Sequence, residues 1–261
     1  MRASTTAAAV VLAGGSGSRV GAAENKVYLP LAGRPMIVWS LSAFVGAPGI
    51  DTVVLVVRAG DQARAADVLA AEPALAGVRA VVGGATRQAS ELAALEHLAG
   101  RIESGRLDVV LLHDGARPLV SPALVAAVLR TAGKCGGAVP GLPRTDLGVA
   151  VPESVAPESV APESVAAESV AAGAGTPGSG ALAGPATAGL VAVQTPQGFR
   201  AAPLLAAYRE AYRCGFAGTD TASCVQRFAP QLPIRAIPGE QRNIKVTYPH
   251  DVVLVDRVLA G

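Results

Sequence analysis

The chain has little of what several protein classes require. Its 261 residues are 51% hydrophobic, yet no run reaches the ~18 consecutive apolar residues of a membrane-spanning helix. Aromatic residues make up only 3%, and no dense Lys/Arg run occurs. That leaves neither a stacking platform nor a basic patch for nucleic acid. There are three cysteines, Cys135, Cys214 and Cys224, without metal-ligand spacing. Their odd number suits reduced thiols in a cytoplasmic protein, with Cys214 and Cys224 expected as helix packing residues. No Ser-His-Asp triad and no paired bases stand out. The net charge is only +2, but it is unevenly spread. Residues 152–171 hold four Glu and no Lys or Arg, which leaves 22 positive against 16 negative charges elsewhere. A mildly basic body of this kind suits an anionic small substrate.

What is present begins at Ala7. The apolar run Ala7 to Leu12 reads as a buried strand. It runs straight into Ala13, Gly14, Gly15, Ser16, Gly17 and Ser18, so it reads as a strand and not as an export leader. Arg19 follows the glycines and Lys26 comes seven residues later. Glycines let backbone N–H groups approach a bound group, and consecutive free N–H groups favour phosphate. Two cations on the same loop complete a polyphosphate cradle. A dinucleotide fingerprint needs a third Gly where Val20 stands, and no Gly-Lys-Ser/Thr run of a P-loop follows. The stretch resembles the Leu-Ala-Gly-Gly-x-Gly-x-Arg…Lys signature of sugar-type nucleotidyltransferases.

Further along, strands are expected at Thr52–Val57, Ala80–Val82, Asp108–Leu112, Gly137–Pro140 and Ile234–Ile237. Helices are expected at Met36–Val45, Asp61–Ala71, Arg87–Ala99, Pro122 to about Thr131, Ala202–Tyr212, Thr219–Phe228 and Tyr248–Leu259. Ser121 followed by Pro122 is a helix start. Gly33-Arg34-Pro35 reads as a turn, and Val191 to Gln194 leads into a Thr195–Phe199 segment. This alternation predicts an α/β fold: a doubly wound, mostly parallel, Rossmann-like sheet. Ligands then bind beyond the carboxyl ends of strands, where residues 13–19, 83–90 and 113–118 fall. The chain 1–261 reads as one domain. Residues 150–186 interrupt it with three PESVA units, one AESVA unit and a Gly/Ala/Pro tail. Regular proline forbids a long helix and the apolar content is too low for a core, so this is a flexible insertion.

Five further segments make the resemblance specific. They are Gly83-Gly84-x-x-Arg87-x-x-Ser90; His113-Asp114-Gly115-Ala116-Arg117-Pro118; Gln194-Thr195-Pro196-Gln197-Gly198-Phe199; Thr219-Asp220-x-Ala222-Ser223; and Asn243-Ile244-Lys245-Val246-Thr247. Their order and spacing resemble the 2-C-methyl-D-erythritol 4-phosphate cytidylyltransferase family over residues 7–255, the insertion excepted.

The resemblance implies transfer of CMP from CTP to a sugar-alcohol phosphate, with Mg²⁺ as cofactor and a homodimer as assembly. It implies catalytic roles for Arg19, Lys26 and Lys245 on charge that develops at phosphorus. It places Ala13, Gly14, Gly15, Gly17, Gly83, Gly84, Arg87 and Ser90 around the nucleotide. Asp114 and Gly115 would meet substrate hydroxyls and ribose, Asp114 near the metal, with no dedicated protein cage. Arg117 is either a substrate contact or a structural ion-pair partner. Thr145, Thr195 and Thr219 would contact the acceptor. Two departures stand out. Ala85 occupies a position where the family often has an acid. The family's acceptor-phosphate Arg falls at Thr187, and no Arg or Lys lies between Arg144 and Arg200. The arm that crosses to a second subunit would therefore lack its cation, with Arg144 the nearest one. Ribitol 5-phosphate as acceptor and a non-catalytic CTP-binding scaffold stay open as alternatives.

Ordering a residue costs about 1–2 kcal/mol of backbone entropy, which PESVA units lack the apolar surface to offset. Deleting residues 152–171 is expected to leave the melting temperature nearly unchanged and CTP affinity intact. A large drop in melting temperature would show that the repeats are packed structure.

Overall fold

The computed structural model describes residues 5–15, 25–143, 170–171 and 191–261. The first half carries β1 (Ala7–Leu12), β2 (Pro30–Leu31), β3 (Arg34–Pro35), α1 (Met36–Ser42), β4 (Ile50–Val57), α2 (Gln62–Ala70), β5 (Arg79–Val82), α3 (Arg87–Glu103) and β6 (Val109–Asp114). The second carries α4 (Pro122–Cys135), β7 (Gly137–Pro143), β8 (Val170–Ala171), β9 (Val191–Val193), β10 (Gln197–Arg200), α5 (Ala201–Arg213), α6 (Thr221–Phe228), β11 (Ile234–Pro238) and α7 (Pro249–Ala260).

The main sheet runs β5-β4-β1-β6-β10-β7-β9-β8, with β11 paired to β7. Strands β5, β4, β1 and β6 are mutually parallel, as are β7 and β11. The sheet is mixed and mostly parallel, with helices on both faces. Alternation along the strands shows why. In β1, Ala7, Ala9 and Val11 join one core layer, while Ala8 and Val10 join the other. Val53, Leu55 and Val57 of β4 split from Val54 and Val56 in the same way, as do Val109 and Leu111 of β6 from Val110 and Leu112. Such continuous apolar runs are what a strand buried on both faces needs. Helices α1, α2, α4 and α7 cover the first layer; α3, α5 and α6 cover the second.

The expected elements recur with shifted ends; β10 is an addition, and the turn at residues 33–35 and the packing role of Cys214 need correction. Gln197–Arg200 is a strand, antiparallel to β6 on one side and β7 on the other. A four-residue strand containing Gln and Gly has no β-rich signature; tertiary pairing makes it. A Cβ on Gly198 would stand 2.7 Å from Val128 Cγ1, so the glycine lets α4 pack close. The turn reading concerns Gly33-Arg34-Pro35. The turn is Ala32-Gly33, both at positive φ, and Arg34–Pro35 is the returning strand of a two-stranded hairpin. Helix α4 starts as expected, with Leu124 N–H donating to Ser121 Oγ at 3.0 Å. Cys224 is buried, but Cys214 caps the end of α5 and is exposed. Most of the 150–186 segment lies outside the described residues. Within it, Val170–Ala171 pairs antiparallel with Val191–Ala192.

Candidate active site

Three strand ends meet beside one another. Ala13 N–H donates to Val56 O, Gly83 N–H to Val57 O and Gly115 N–H to Leu12 O, at 2.8, 2.8 and 2.9 Å. These bonds hold the loops after β1, β5 and β6 around a cleft of about 310 Å³. Gly14, Gly15, Lys26, Gly84, Ala85, Arg87, Ser90, Asp114 and Lys245 are among its lining residues. The glycines differ in what they need. A Cβ on Gly84 would meet Ala89 Cβ at 2.5 Å, and one on Gly83 would meet Ser90 Oγ at 2.6 Å. Those two let α3 begin close to the strand ends. Among the described residues, a Cβ on Gly15 would meet nothing within 4 Å. Among those residues, Gly15 therefore leaves its backbone open to close approach.

Lys26 is placed by its neighbour. Asn25 is buried, and its Nδ2 donates to Ala13 O at 2.6 Å and to Asp61 Oδ2 at 2.8 Å. Asp61 is gripped in turn by Arg58 through two hydrogen bonds. The far end of the glycine loop is thus tied back to the end of β1, and Lys26 opens the short 3₁₀ turn Lys26–Tyr28 beside it. Nothing local in the sequence singles out Asn25; its partners lie 12 and 36 residues away.

Asp114 is the electrostatic centre. It ends β6 and is buried. Arg87 Nη1 lies 2.5 Å from Oδ1, Lys245 Nζ lies 3.2 Å from Oδ2, and Arg117 Nε lies 3.8 Å from Oδ2. Burial raises the carboxyl pKa, but the Arg87, Lys245 and Arg117 cations outweigh it and hold the group well below the usual carboxylate range. Lys245 is delivered by backbone pairing, since Val246 N–H donates to Ala116 O at 2.8 Å. Asn243 supports the same stretch. Its carbonyl accepts from Arg117 Nη1 at 2.8 Å, and its Nδ2 donates to Thr195 O at 2.8 Å.

A buried chain lies behind Asp114. Asp114 N–H donates to Thr195 Oγ1 at 3.0 Å, and Thr195 Oγ1 lies 3.2 Å from His113 Nδ1. His113 Nε2 lies 3.2 Å from Arg117 O. A carbonyl only accepts, so Nε2 carries the proton and Nδ1 accepts from the threonine hydroxyl. Burial depresses the His113 pKa to about 4, which keeps the ring neutral.

Of the residues singled out from sequence, Gly14, Gly15, Gly84, Arg87, Ser90, Asp114, Lys26 and Lys245 come together on the cleft. Ala13, Gly83, Gly115 and Arg117 belong to the same loops but are not among the lining residues. Thr195 is buried, with its hydroxyl engaged by the Asp114 amide and His113. Thr219 is exposed just before α6 and is not among the lining residues. Gly17, Arg19 and Thr145 lie outside the described residues, as do Arg144 and Thr187. Asn25, Glu91, His113, Gln194 and Asn243 were not singled out as site residues, because most of their partners are distant in sequence.

The neutral His113 gives a pH signature. The ring titrates near 6.5 unfolded and near 4 folded, so the unfolded chain binds more protons between those values. Stability is at its full value above about pH 6.5 and falls toward pH 4, by up to about 3 kcal/mol. In denaturant unfolding measured across this window, His113→Gln is expected to flatten the slope even where it lowers stability overall. An unchanged slope would show that other groups set it.

The chain is similar to known proteins over nearly its whole length. A family profile described as IspD, 2-C-methyl-D-erythritol 4-phosphate cytidylyltransferase, matches residues 7–156 and 180–260. The protein of that name from Thermobifida fusca (strain YX) is 38% identical over 253 residues, covering 97% of this chain and 92% of the relative. The one from Synechococcus sp. (strain JA-3-3Ab) is 33% identical over 250 residues, covering 96% and 95%. The crystal structure of the cytidylyltransferase from Thermus thermophilus superimposes with a TM-score of 0.63 at 32% identity, covering 96% of this chain and 97% of that one. The 4-diphosphocytidyl-2C-methyl-D-erythritol synthase of Anaerococcus prevotii DSM 20548 shares the fold, with a TM-score of 0.75 at 22% identity over 99% and 97%. The chain belongs to the IspD family of 2-C-methyl-D-erythritol 4-phosphate cytidylyltransferases.

Proposed function

We propose that the cleft transfers CMP from CTP to 2-C-methyl-D-erythritol 4-phosphate, giving the CDP-alcohol and pyrophosphate in non-mevalonate isoprenoid precursor synthesis. One observation carries this beyond family membership. Lys26, Arg87 and Lys245 line a glycine-walled cleft around one buried carboxylate. That arrangement suits two polyanions brought together. An acceptor phosphate oxygen bonds to the α-phosphorus of CTP. The bond from that phosphorus to its bridging oxygen breaks, and pyrophosphate leaves with the electron pair. The nucleophile is already anionic, so no general base is needed, and positioning and charge stabilisation carry the reaction.

In this mechanism Lys26, with Arg19, stabilises charge at the α-phosphate, and Lys245 holds the incoming phosphate. Gly14, Gly15, Gly84 and Ser90 surround the nucleotide largely through backbone groups, and Asp114 contacts substrate hydroxyls. The resemblance assigns Thr145, Thr195 and Thr219 to the acceptor; the Thr195 hydroxyl is engaged by the Asp114 amide and His113. Among the described residues no cluster of three or more His, Cys, Asp or Glu is arranged for a metal. Asp114 is the cleft carboxylate that would hold Mg²⁺, and it already faces three cations. An ion here would be bound chiefly through CTP phosphates and water, as Mg²⁺ usually is. When bound, Mg²⁺ supplies charge neutralisation on the triphosphate. We further read 1–261 as one nucleotidyltransferase domain with an insertion at 150–186, acting as a cytoplasmic homodimer. Three free cysteines support a reducing compartment.

Pyrophosphate release with CTP, Mg²⁺ and 2-C-methyl-D-erythritol 4-phosphate is the direct test. Release only with ribitol 5-phosphate would move the acceptor assignment, and release with neither would point to the scaffold. For Lys26→Ala and Arg19→Ala, kcat is expected to fall on the order of 10²-fold, with CTP binding far less affected. If only KM changes, these residues bind the ground state and the assigned role is wrong.

A further inference from the structure

Glu91 lies one turn along α3 from Arg87 and is 1% exposed. A carboxylate is almost never buried this fully unless it is paired. Three donors meet it. Arg87 Nε and Thr221 Oγ1 each donate to Oε1 at 3.0 Å, and the Tyr208 hydroxyl donates to Oε2 at 2.6 Å. Burial raises the Glu91 carboxyl pKa, and the Arg87 cation with the Tyr208 and Thr221 hydroxyls opposes that rise. Tyr208 keeps its proton, because burial and the Glu91 charge push its pKa well above the ordinary value.

Arg87 bridges this group to the cleft. Its Nε edge faces Glu91 while its Nη1 donates to Asp114 Oδ1 at 2.5 Å. A planar guanidinium held at two edges by carboxylates on different elements keeps one orientation. Held by Asp114 alone, its long side chain would keep more rotamer freedom. The anchors come from α5 and α6, 117 and 130 residues from Glu91 in sequence. Neutralising Arg87 would not require Tyr208 and Thr221 to hold the carboxylate itself in place.

We propose that Glu91 is a positioning residue: anchored by Tyr208 and Thr221, it fixes the Arg87 guanidinium against Asp114 for nucleotide binding in the cleft. This rests on the cytidylyltransferase function set out above.

The test compares wild type, Glu91→Gln, Tyr208→Phe, Arg87→Ala and the Glu91→Gln/Arg87→Ala double variant in steady-state pyrophosphate release. Glu91→Gln keeps the shape and removes the charge. Its kcat/KM is expected to fall on the order of tenfold, mostly as a raised KM for CTP, the scale of coupling between contacting side chains. Tyr208→Phe should shift the same parameter less. In the Arg87→Ala background Glu91→Gln should add nothing. Additive losses, or an unchanged kcat/KM for Glu91→Gln, would overturn the proposal. Should Glu91→Gln not fold, Tyr208→Phe with and without Arg87→Ala carries the same comparison. A second readout needs no turnover: the Arg87 Nε–H resonance, identified by its absence in Arg87→Ala. It should exchange slowly with solvent in wild type and quickly in Glu91→Gln. Equal exchange would overturn the proposal, whereas a wild type inactive with every acceptor would count against the function alone.

Discussion

A buried carboxylate stays charged only where cations meet it, and Asp114 is the case on which this cleft depends. Taking one ion out of water costs several kcal/mol even after relaxation. Here Arg87, Lys245 and Arg117 answer it from three different directions. Each cation is delivered by a different segment: the start of α3, the Asn243–Thr247 stretch and the turn after β6. The carboxylate therefore acts as the fixed point that gathers them. Without it, three neighbouring positive side chains would lose the anion they share. The cleft exists as a cationic pocket because one anion at its floor sets the distances.

That constraint explains the topology around it. Asp114 ends β6, between β1 and β10. On the β1 side, the glycine loop leaves the sheet directly beside it. On the β10 side, the antiparallel strand brings Thr195 in from the opposite direction, so that its hydroxyl meets the Asp114 amide. A parallel strand there would have ended at the same edge as β6 and could not have offered the residues preceding it. The same reversal places Gln197 under α6, where it bonds Asp220 Oδ2 at 3.1 Å and the Ala222 amide at 3.1 Å. One short, weakly patterned strand thus joins the cleft to the helix that carries Thr221.

What was legible in the sequence was local. Apolar runs marked β1, β4 and β6, because a strand buried on both faces shows an unbroken hydrophobic stretch. Ser121-Pro122 marked the start of α4, because capping is settled within four residues. Glycines and the acid following strands marked the loops that the structure brings together. What stayed hidden was long-range. β10 is a strand only because β6 and β7 flank it. Asn25 is an ordinary polar residue until Ala13 and Asp61 are beside it. Glu91 looks like any charge on a helix face, and its burial follows from Tyr208 and Thr221 arriving across 117 and 130 residues. His113 is read as a neutral ring only once its partners are known.

The hidden contacts and the visible motifs meet in the charge of the site. Asp114 keeps its negative charge well below neutral pH, and His113 stays uncharged down to about pH 4. Neither group changes state near neutrality, so neither makes the cleft sensitive to small pH changes there. The ligand does change. A phosphate monoester loses its second proton near pH ~6, which makes it a better nucleophile and a stronger partner for the lysines. In the proposed reaction the acceptor phosphate, and not Asp114 or His113, is the group that changes charge near neutrality. This matches a reaction that needs no general base. The protein supplies fixed charge in fixed places, and the proton that matters has left the acceptor before it arrives.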